Sequence, residues 1–145
     1  MSPITDAGLA SQLRLTTARL SRRVRQESAI AGETLSASCM AALASVERLG
    51  PITLGELAAV EQVQPPSMTR IVARIEEFGY ATRVTDVDDR RVARVEITER
   101  GRRVLARHRT RKDAFLAKRV ARLTESERAV LAAALPLLER LQEEA

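Results

Sequence analysis

Between Gln64 and Gly79 the chain runs QPPSMTRIVARIEEFG. Placed on a helix, Met68, Ile71, Val72, Ile75 and Phe78 fall within one apolar stripe of about 120°. Such a stripe is what any surface helix needs in order to pack, and it says little about function. The opposite face carries Pro66, Thr69, Arg70, Ala73 and Glu77, with Ser67 and Arg74 on one flank and Gln64 just ahead of the helix. Small, hydroxylated and guanidinium side chains thus crowd its N-terminal half. They are hydrogen-bonding groups of the kind that meets phosphate oxygens and base edges. A second charged set, DVDDRR, lies at Asp86–Arg91. Taken alone it has the composition of an ordinary solvated turn, but it follows the helix closely.

The elements that must position these groups are legible on either side. Thr53-Leu54-Gly55-Glu56 has capping-box spacing, so the Thr53 hydroxyl can accept from the Glu56 amide while the Glu56 carboxylate reaches back. This predicts a short helix from Leu54 to about Glu61 that buries Leu57 and Val60. Val63 then sits in a tight connection, and Pro65-Pro66 opens the next helix, where a missing N–H is tolerated. Helix, short turn and helix with a basic exposed face make a helix-turn-helix. Gly79 ends the second helix. Tyr80–Thr85 is expected as a strand, Asp86–Arg91 as a polar turn and Val92–Ile97 as a returning strand, with Thr98 as the N-cap of a further helix.

The stretch DVDDRRVARVEITERG, Asp86 to Gly101, resembles the wing signature of the MarR family of winged-helix repressors. PPSMTRIVARIEEFGYATR resembles that family's recognition helix and the strand leading out of it. The likeness is strongest from Ile52 to Gly101 and extends to the flanking helices. It implies that Asp89 and Arg91 are the D-x-R pair of the wing, the arginine entering a minor groove and the aspartate orienting it. A narrow A·T-rich minor groove has enhanced negative potential, which suits arginine. By the same match Thr69, Arg70 and Arg74 are the main recognition-helix contacts, with Gln64, Pro66 and Ser67 near the helix start. Arg83 is expected to touch phosphate or hold the wing, and Arg90 to make at most a phosphate contact. Arg74 has the competing option of pairing with Glu77 or Asp89. Val87 stands where the family often has proline, which affects the shape of the wing tip and not the placement of Arg91.

The remaining chain supplies helices. Asp6–Glu27 has Leu9, Leu13, Leu20 and Val24 at helical spacing, Ser28–Thr34 reads as a loop, and Ser36–Leu49 buries Met40, Leu43 and Val46 before Gly50-Pro51. Glu99–Arg122 is a long helix with Val104, Leu105, His108, Phe115, Leu116 and Val120 on its apolar side. Thr124–Glu127 repeats the capping box and opens a last helix carrying Val130, Leu131, Leu135, Leu138 and Leu141, which Pro136 should bend or interrupt. The expected fold is therefore mainly α with a small β wing. A winged lobe over residues 36–100 is flanked by helices over 1–35 and 101–145, which the resemblance assigns to a homodimer.

The chain has 145 residues and 45% hydrophobic content, but only three aromatic side chains, Phe78, Tyr80 and Phe115. Its core must be built from aliphatic side chains. The net charge of +5 suggests an anionic partner, yet residues 64–98 carry six basic and six acidic groups while residues 99–122 carry ten against two. The positive field is therefore expected from the helix after the wing, with Arg100, Arg102 and Arg103 nearest to a phosphate backbone. One cysteine, Cys39, allows no intrachain disulfide and suits a reducing cytoplasm. No run is apolar enough to span a membrane, and the first ten residues do not form a signal peptide. One Cys and one His do not make a structural zinc site, no cofactor is expected, and no catalytic constellation or P-loop argues for an enzyme. Cys39 has no activating charge nearby in sequence and is expected to be buried and inert.

The leading expectation is a sequence-specific regulator of transcription, a homodimeric repressor binding double-stranded DNA at a pseudo-palindromic operator. The resemblance adds release by a small aromatic or phenolic anion as effector. A winged helix serving as an architectural or protein-interaction module without sequence preference is the alternative, against which the D-x-R wing and the hydroxyl-rich helix argue.

Overall fold

The computed structural model describes residues 4–28 and 35–143. The elements run α1 (Asp6–Ser28), α2 (Ala37–Leu49), β1 (Ile52–Thr53), α3 (Leu54–Glu61), α4 (Pro65–Glu77), β2 (Ala81–Thr85), β3 (Ala93–Ile97), α5 (Glu99–Val120) and α6 (Glu125–Arg140). The mainly α architecture with a small β wing is as expected. The antiparallel sheet has the order β1-β3-β2. Of the predicted loop Ser28–Thr34, Ser28 closes α1, and residues 29–34 lie outside the described residues. Two compact units can be distinguished, Ser28–Thr110 and Met1–Glu27 with Arg111–Ala145.

In the first unit the apolar stripes converge on one core. Leu43 and Val46 of α2, Leu57 of α3, Met68, Val72 and Ile75 of α4, Val95 of β3 and Val104 of α5 are buried there, with Met40, Ile71 and Phe78 packed at its edge. Ser36 caps α2 through its side chain, and the Thr53/Glu56 capping box forms in both directions. Val60 departs from expectation, at 43% exposure. At 3.6 residues per turn the inward arc of α3 holds Leu54, Leu57, Ala58 and Glu61, and Val60 lies about 110° from its centre. The inward place goes to Glu61, whose carboxylate accepts from the buried Ser45 hydroxyl on α2. Gln62 then ends α3 in the left-handed region at φ 54°.

Glycines fix the close approaches. Gly50 ends α2 as predicted but with extended backbone, so conformational freedom is not its purpose. A Cβ there would lie 2.5 Å from the Val46 carbonyl oxygen and 3.3 Å from that of Val95. Gly79, at φ 72°, does need left-handed freedom to turn the end of α4 into β2. Thr98 is the predicted N-cap of α5, accepting from the Gly101 amide at 3.1 Å while its hydroxyl donates to the Gly79 carbonyl at 2.6 Å. Gly101 lies so close to the Tyr80 carbonyl that any β-carbon would overlap it.

The second unit holds α1, the C-terminal part of α5 and α6. The Thr124/Glu127 capping box opens α6, and the helix runs through Pro136 to Arg140, so the proline does not end it. Phe115 is buried and Leu13, Val24, Leu116 and Leu138 are half-buried. Val120, expected on the apolar side of α5, is exposed. Leu9 and Leu20 of α1 and Val130, Leu131, Leu135 and Leu137 of α6 are likewise exposed, as is Leu141 beyond it, Val130 and Leu141 reaching 69%.

Gly101→Ala should destabilise the winged unit by about 1–3 kcal/mol, since overpacking against backbone cannot be relieved by a rotamer change. Gly55→Ala, where a Cβ meets nothing within 4 Å, should be neutral or stabilising. Thermal unfolding of the two variants decides; equal midpoints would contradict the packing of α5 on Tyr80.

Candidate nucleic-acid interface

The helix α4 places its predicted contacts on one exposed face. Gln64, Pro66, Ser67, Thr69, Arg70 and Arg74 are all exposed, whereas Met68, Val72 and Ile75 turn inward. Gln64 is the N-cap by backbone geometry but makes no side-chain capping bond, and its carboxamide has no partner among the described residues. An anion cannot count on free backbone donors at this helix start. Pro65 and Pro66 have no N–H, and the amides of Ser67 and Met68 both donate to the Gln64 carbonyl, at 2.9 and 3.1 Å. Contacts here fall to side chains, in contrast to the usual anion site made of helix N–H groups. The Thr69 hydroxyl donates back to the Pro65 carbonyl at 3.0 Å, which leaves its methyl group and its oxygen lone pairs as outward-facing chemistry.

The arginines divide by partner. Arg74 pairs with Glu77 at 2.8 Å and lies over the Phe78 ring at 4.8 Å, so the competing reading of this residue is realised in the free chain. Arg83 on β2 pairs with Glu76 of α4 at 2.8 Å and joins the strand to the helix. Arg94, a residue that the sequence reading did not single out, pairs with Asp86 at 2.9 Å. Arg70 and Arg90 make no ion pair among the described residues. The segment is balanced in formal charge, but the pairing is uneven and leaves two unopposed guanidinium groups, one on the helix and one on the wing. Arg102 lies 3.7 Å from Glu99, and Arg100 is over the Tyr80 ring at 5.6 Å. The start of α5 is therefore partly committed within the chain, more so than the charge count alone suggested.

In the wing, Asp89 organises Arg91 twice. Its Oδ1 accepts from the Arg91 amide at 3.0 Å and from Nε at 3.1 Å, while Oδ2 accepts from Nη2 at 3.2 Å. The guanidinium is held bidentate yet its side chain is 91% exposed, a presented group with restricted freedom. Asp86 closes the base of the turn. Its amide donates to the Val92 carbonyl at 2.9 Å, and its Oδ1 accepts from the Asp88 amide at 2.9 Å. Val87 points into solvent at the tip.

Both carboxyl groups are held below the ordinary aspartate range. The Asp88 amide and then the Arg94 guanidinium lower Asp86, and the Arg91 side chain and then its amide lower Asp89. A carboxyl with a depressed folded pKa contributes order that is complete above its unfolded value, about 4, and lost as pH falls through the folded value. The wing should therefore keep its geometry from neutral pH down to about 4 and loosen only below it. Carboxyl-carbon NMR titration should give midpoints for both groups below that of an unstructured aspartate; midpoints at or above it would show that these hydrogen bonds do not persist in solution.

The model of the MarR family matches residues 35–93. An HTH-type transcriptional regulator of Mycobacterium bovis is 36% identical over 140 residues, covering 97% of this chain and 96% of that relative. Among solved structures, a protein from Pseudomonas aeruginosa PA01 superposes with a TM-score of 0.85 at 35% identity, covering 99% of this chain and 100% of that one. A MarR family protein from Bacillus stearothermophilus gives 0.80 at 25% identity, covering 99% of each. The fold is shared more distantly with Streptococcus pneumoniae FabT, solved in complex with DNA, at a TM-score of 0.69 and 23% identity over 92% of this chain and 95% of that one. With a helix-turn-helix, a wing and near-full-length identity above one third all in agreement, the chain belongs to the MarR family of winged-helix, DNA-binding transcriptional regulators.

Proposed function

We propose that the chain acts as a homodimeric repressor that reads a pseudo-palindromic operator, one winged unit to each half-site. In this reading α4 lies in the major groove, where Arg70 meets a base edge and Gln64, Pro66, Ser67, Thr69 and Arg74 complete the contact surface. The wing reaches the adjacent minor groove with Arg91, preorganised by Asp89, while Arg90 meets phosphate and Arg83 steadies the strand behind it. The observation that carries the reading is the pattern of pairing. Arg70 is left unopposed on the exposed face of α4, and Arg91 is presented to solvent in a fixed geometry. An Arg74 contact would require its bond to Glu77 to be exchanged for one to DNA.

The exposed aliphatic side chains of α1 and α6 support the dimer, since a lone chain would leave them in water. Two copies related by a two-fold axis would read half-sites centred about one helical turn, ~10 bp, apart. Release by a small aromatic or phenolic anion belongs to this reading on the family resemblance alone. Such an effector would act by shifting the population away from the DNA-competent arrangement.

Two experiments test this. Affinity across a panel of half-site and flank variants should separate the arginines. Arg70→Ala should cost roughly 1–3 kcal/mol and relax preference at one position per half-site. Arg91→Ala should weaken binding and erase preference for A·T-rich flanks, leaving the half-site preference intact. An Arg70→Ala loss that is equal on every sequence would overturn the placement of α4. Sedimentation at micromolar concentration should show a dimer, and a monomer both free and on DNA would exclude the two-fold reading.

A further inference from the structure

The outer face of the small sheet carries an ion network that joins Asp86 and Arg94 to Glu56 of α3. Arg94 sits on the central strand β3, paired across to Thr53 on one side and to Val84 on the other. Alternation on β3 sends Val95 and Ile97 into the core and leaves Arg94 on the opposite face. From there its Nε donates to Asp86 Oδ2 at 2.9 Å, and its Nη1 lies 3.5 Å from Glu56 Oε2. Neither carboxylate is an incidental neighbour. Asp86 closes the base of the wing through the Val92 carbonyl and the Asp88 amide, and its side chain is only 15% exposed. Glu56 is the third residue of α3, and the same Oε2 accepts from the Thr53 amide in the capping box.

One guanidinium therefore spans from the wing base to the N-terminal cap of the first helix of the helix-turn-helix. We propose that Arg94 is the positioning residue of the wing, fixing its base against the cap of α3 and so setting where Arg91 is presented. Isolated surface ion pairs contribute little. The contact with Asp86 differs from those in being short and mostly covered, and the Glu56 contact, beyond hydrogen-bond distance, adds charge attraction. Within the wing the Asp89–Arg91 pair is local, two residues apart, and cannot by itself orient the hairpin relative to the helices. Arg83 ties β2 to Glu76 of α4, and Thr98 ties the far ends of the strands to α4 and α5. Toward α3 the further link is the sheet pairing of β3 with the two-residue β1, and it is short. The functional consequence of this positioning rests on the proposed role of Arg91 in the minor groove.

The test uses the full chain, free and on DNA. In Arg94→Gln, nitrogen-15 relaxation should show faster motion at the amides of residues 86–92, with the amides of α4 and of the core unchanged. Glu56→Gln removes the distal charge while retaining an acceptor for the capping box, and should loosen the same amides to a smaller extent without affecting α3. On DNA with A·T-rich and G·C-rich flanks, Arg94→Gln should lower flank discrimination in the parent. In an Arg91→Ala background it should add no further loss beyond about twofold, the margin within which independent effects are resolved. Wing amides unaffected by Arg94→Gln would overturn the proposal, as would equal affinity losses in both backgrounds. Loosened amides together with an Arg91→Ala variant of normal flank preference would support Arg94 as the wing's tether and instead remove the minor-groove reading of Arg91.

Discussion

The winged unit depends on one junction where four backbone segments meet at Thr98. Its hydroxyl donates to the Gly79 carbonyl, its oxygen accepts from the Gly101 amide, and its own amide donates to the Tyr80 carbonyl at 3.0 Å. The end of α4, the start of β2, the end of β3 and the start of α5 are thereby locked to one another. Gly79 supplies the backbone turn that sends the chain from helix to strand, and Gly101 allows the helix to press on the strand without a side chain between them. A hydroxyl that donates and accepts at once can serve two partners in this way, which valine, its near isostere, cannot. At this point the end of α4 is fixed to the inner ends of the wing strands, while Arg94 acts at the far end of the hairpin, at the wing base.

Above the junction the charges are organised by neutralisation. Glu76, Glu77, Asp86 and Asp89 each take one guanidinium, from Arg83, Arg74, Arg94 and Arg91 respectively. These pairs have different purposes. Arg83 and Arg94 join separate elements, Arg91 is held at the surface with its side chain outward, and Arg74 stays along its own helix. Among the described residues Arg70 remains unopposed, so its charge is available there without first breaking a bond. A balanced count of charges therefore conceals a surface on which only a few groups are ready to meet an anion, and those few stand on the helix face and at the wing.

Much of this was legible because it is local in sequence. The two capping boxes, the proline start of α4, the wing turn and the Asp89–Arg91 pair each involve residues within a few positions, and their spacing fixes their chemistry. The apolar stripe of α4 located Met68, Val72 and Ile75 correctly in the core. What escaped is contact between segments far apart. Glu61 takes an inward place because Ser45 on another helix offers it a hydroxyl, so Val60 turns outward. Arg94 has no partner close in sequence that would mark it, since its bonds depend on the register of the hairpin and of β1. Gly50 and Gly101 are glycines for want of room, and room is set by carbonyls that only the fold brings near. The exposed face of α6 was readable as an apolar stripe, but the stripe alone did not tell which surface covers it.

The aromatic stack at the end of α4 has an optical consequence. Tyr80 is the chain's only tyrosine, and there is no tryptophan. Its buried ring lies 5.5 Å from that of Phe78 at an interplanar angle of 16°, with the Arg100 guanidinium over the ring, 5.6 Å from its centroid. Intrinsic tyrosine emission from each chain therefore originates at a single chromophore, seated where helix, strand and following helix converge. Quenching and polarisation of that emission form a native, label-free gauge of the root of the wing, undiluted by signal from any other part of the chain.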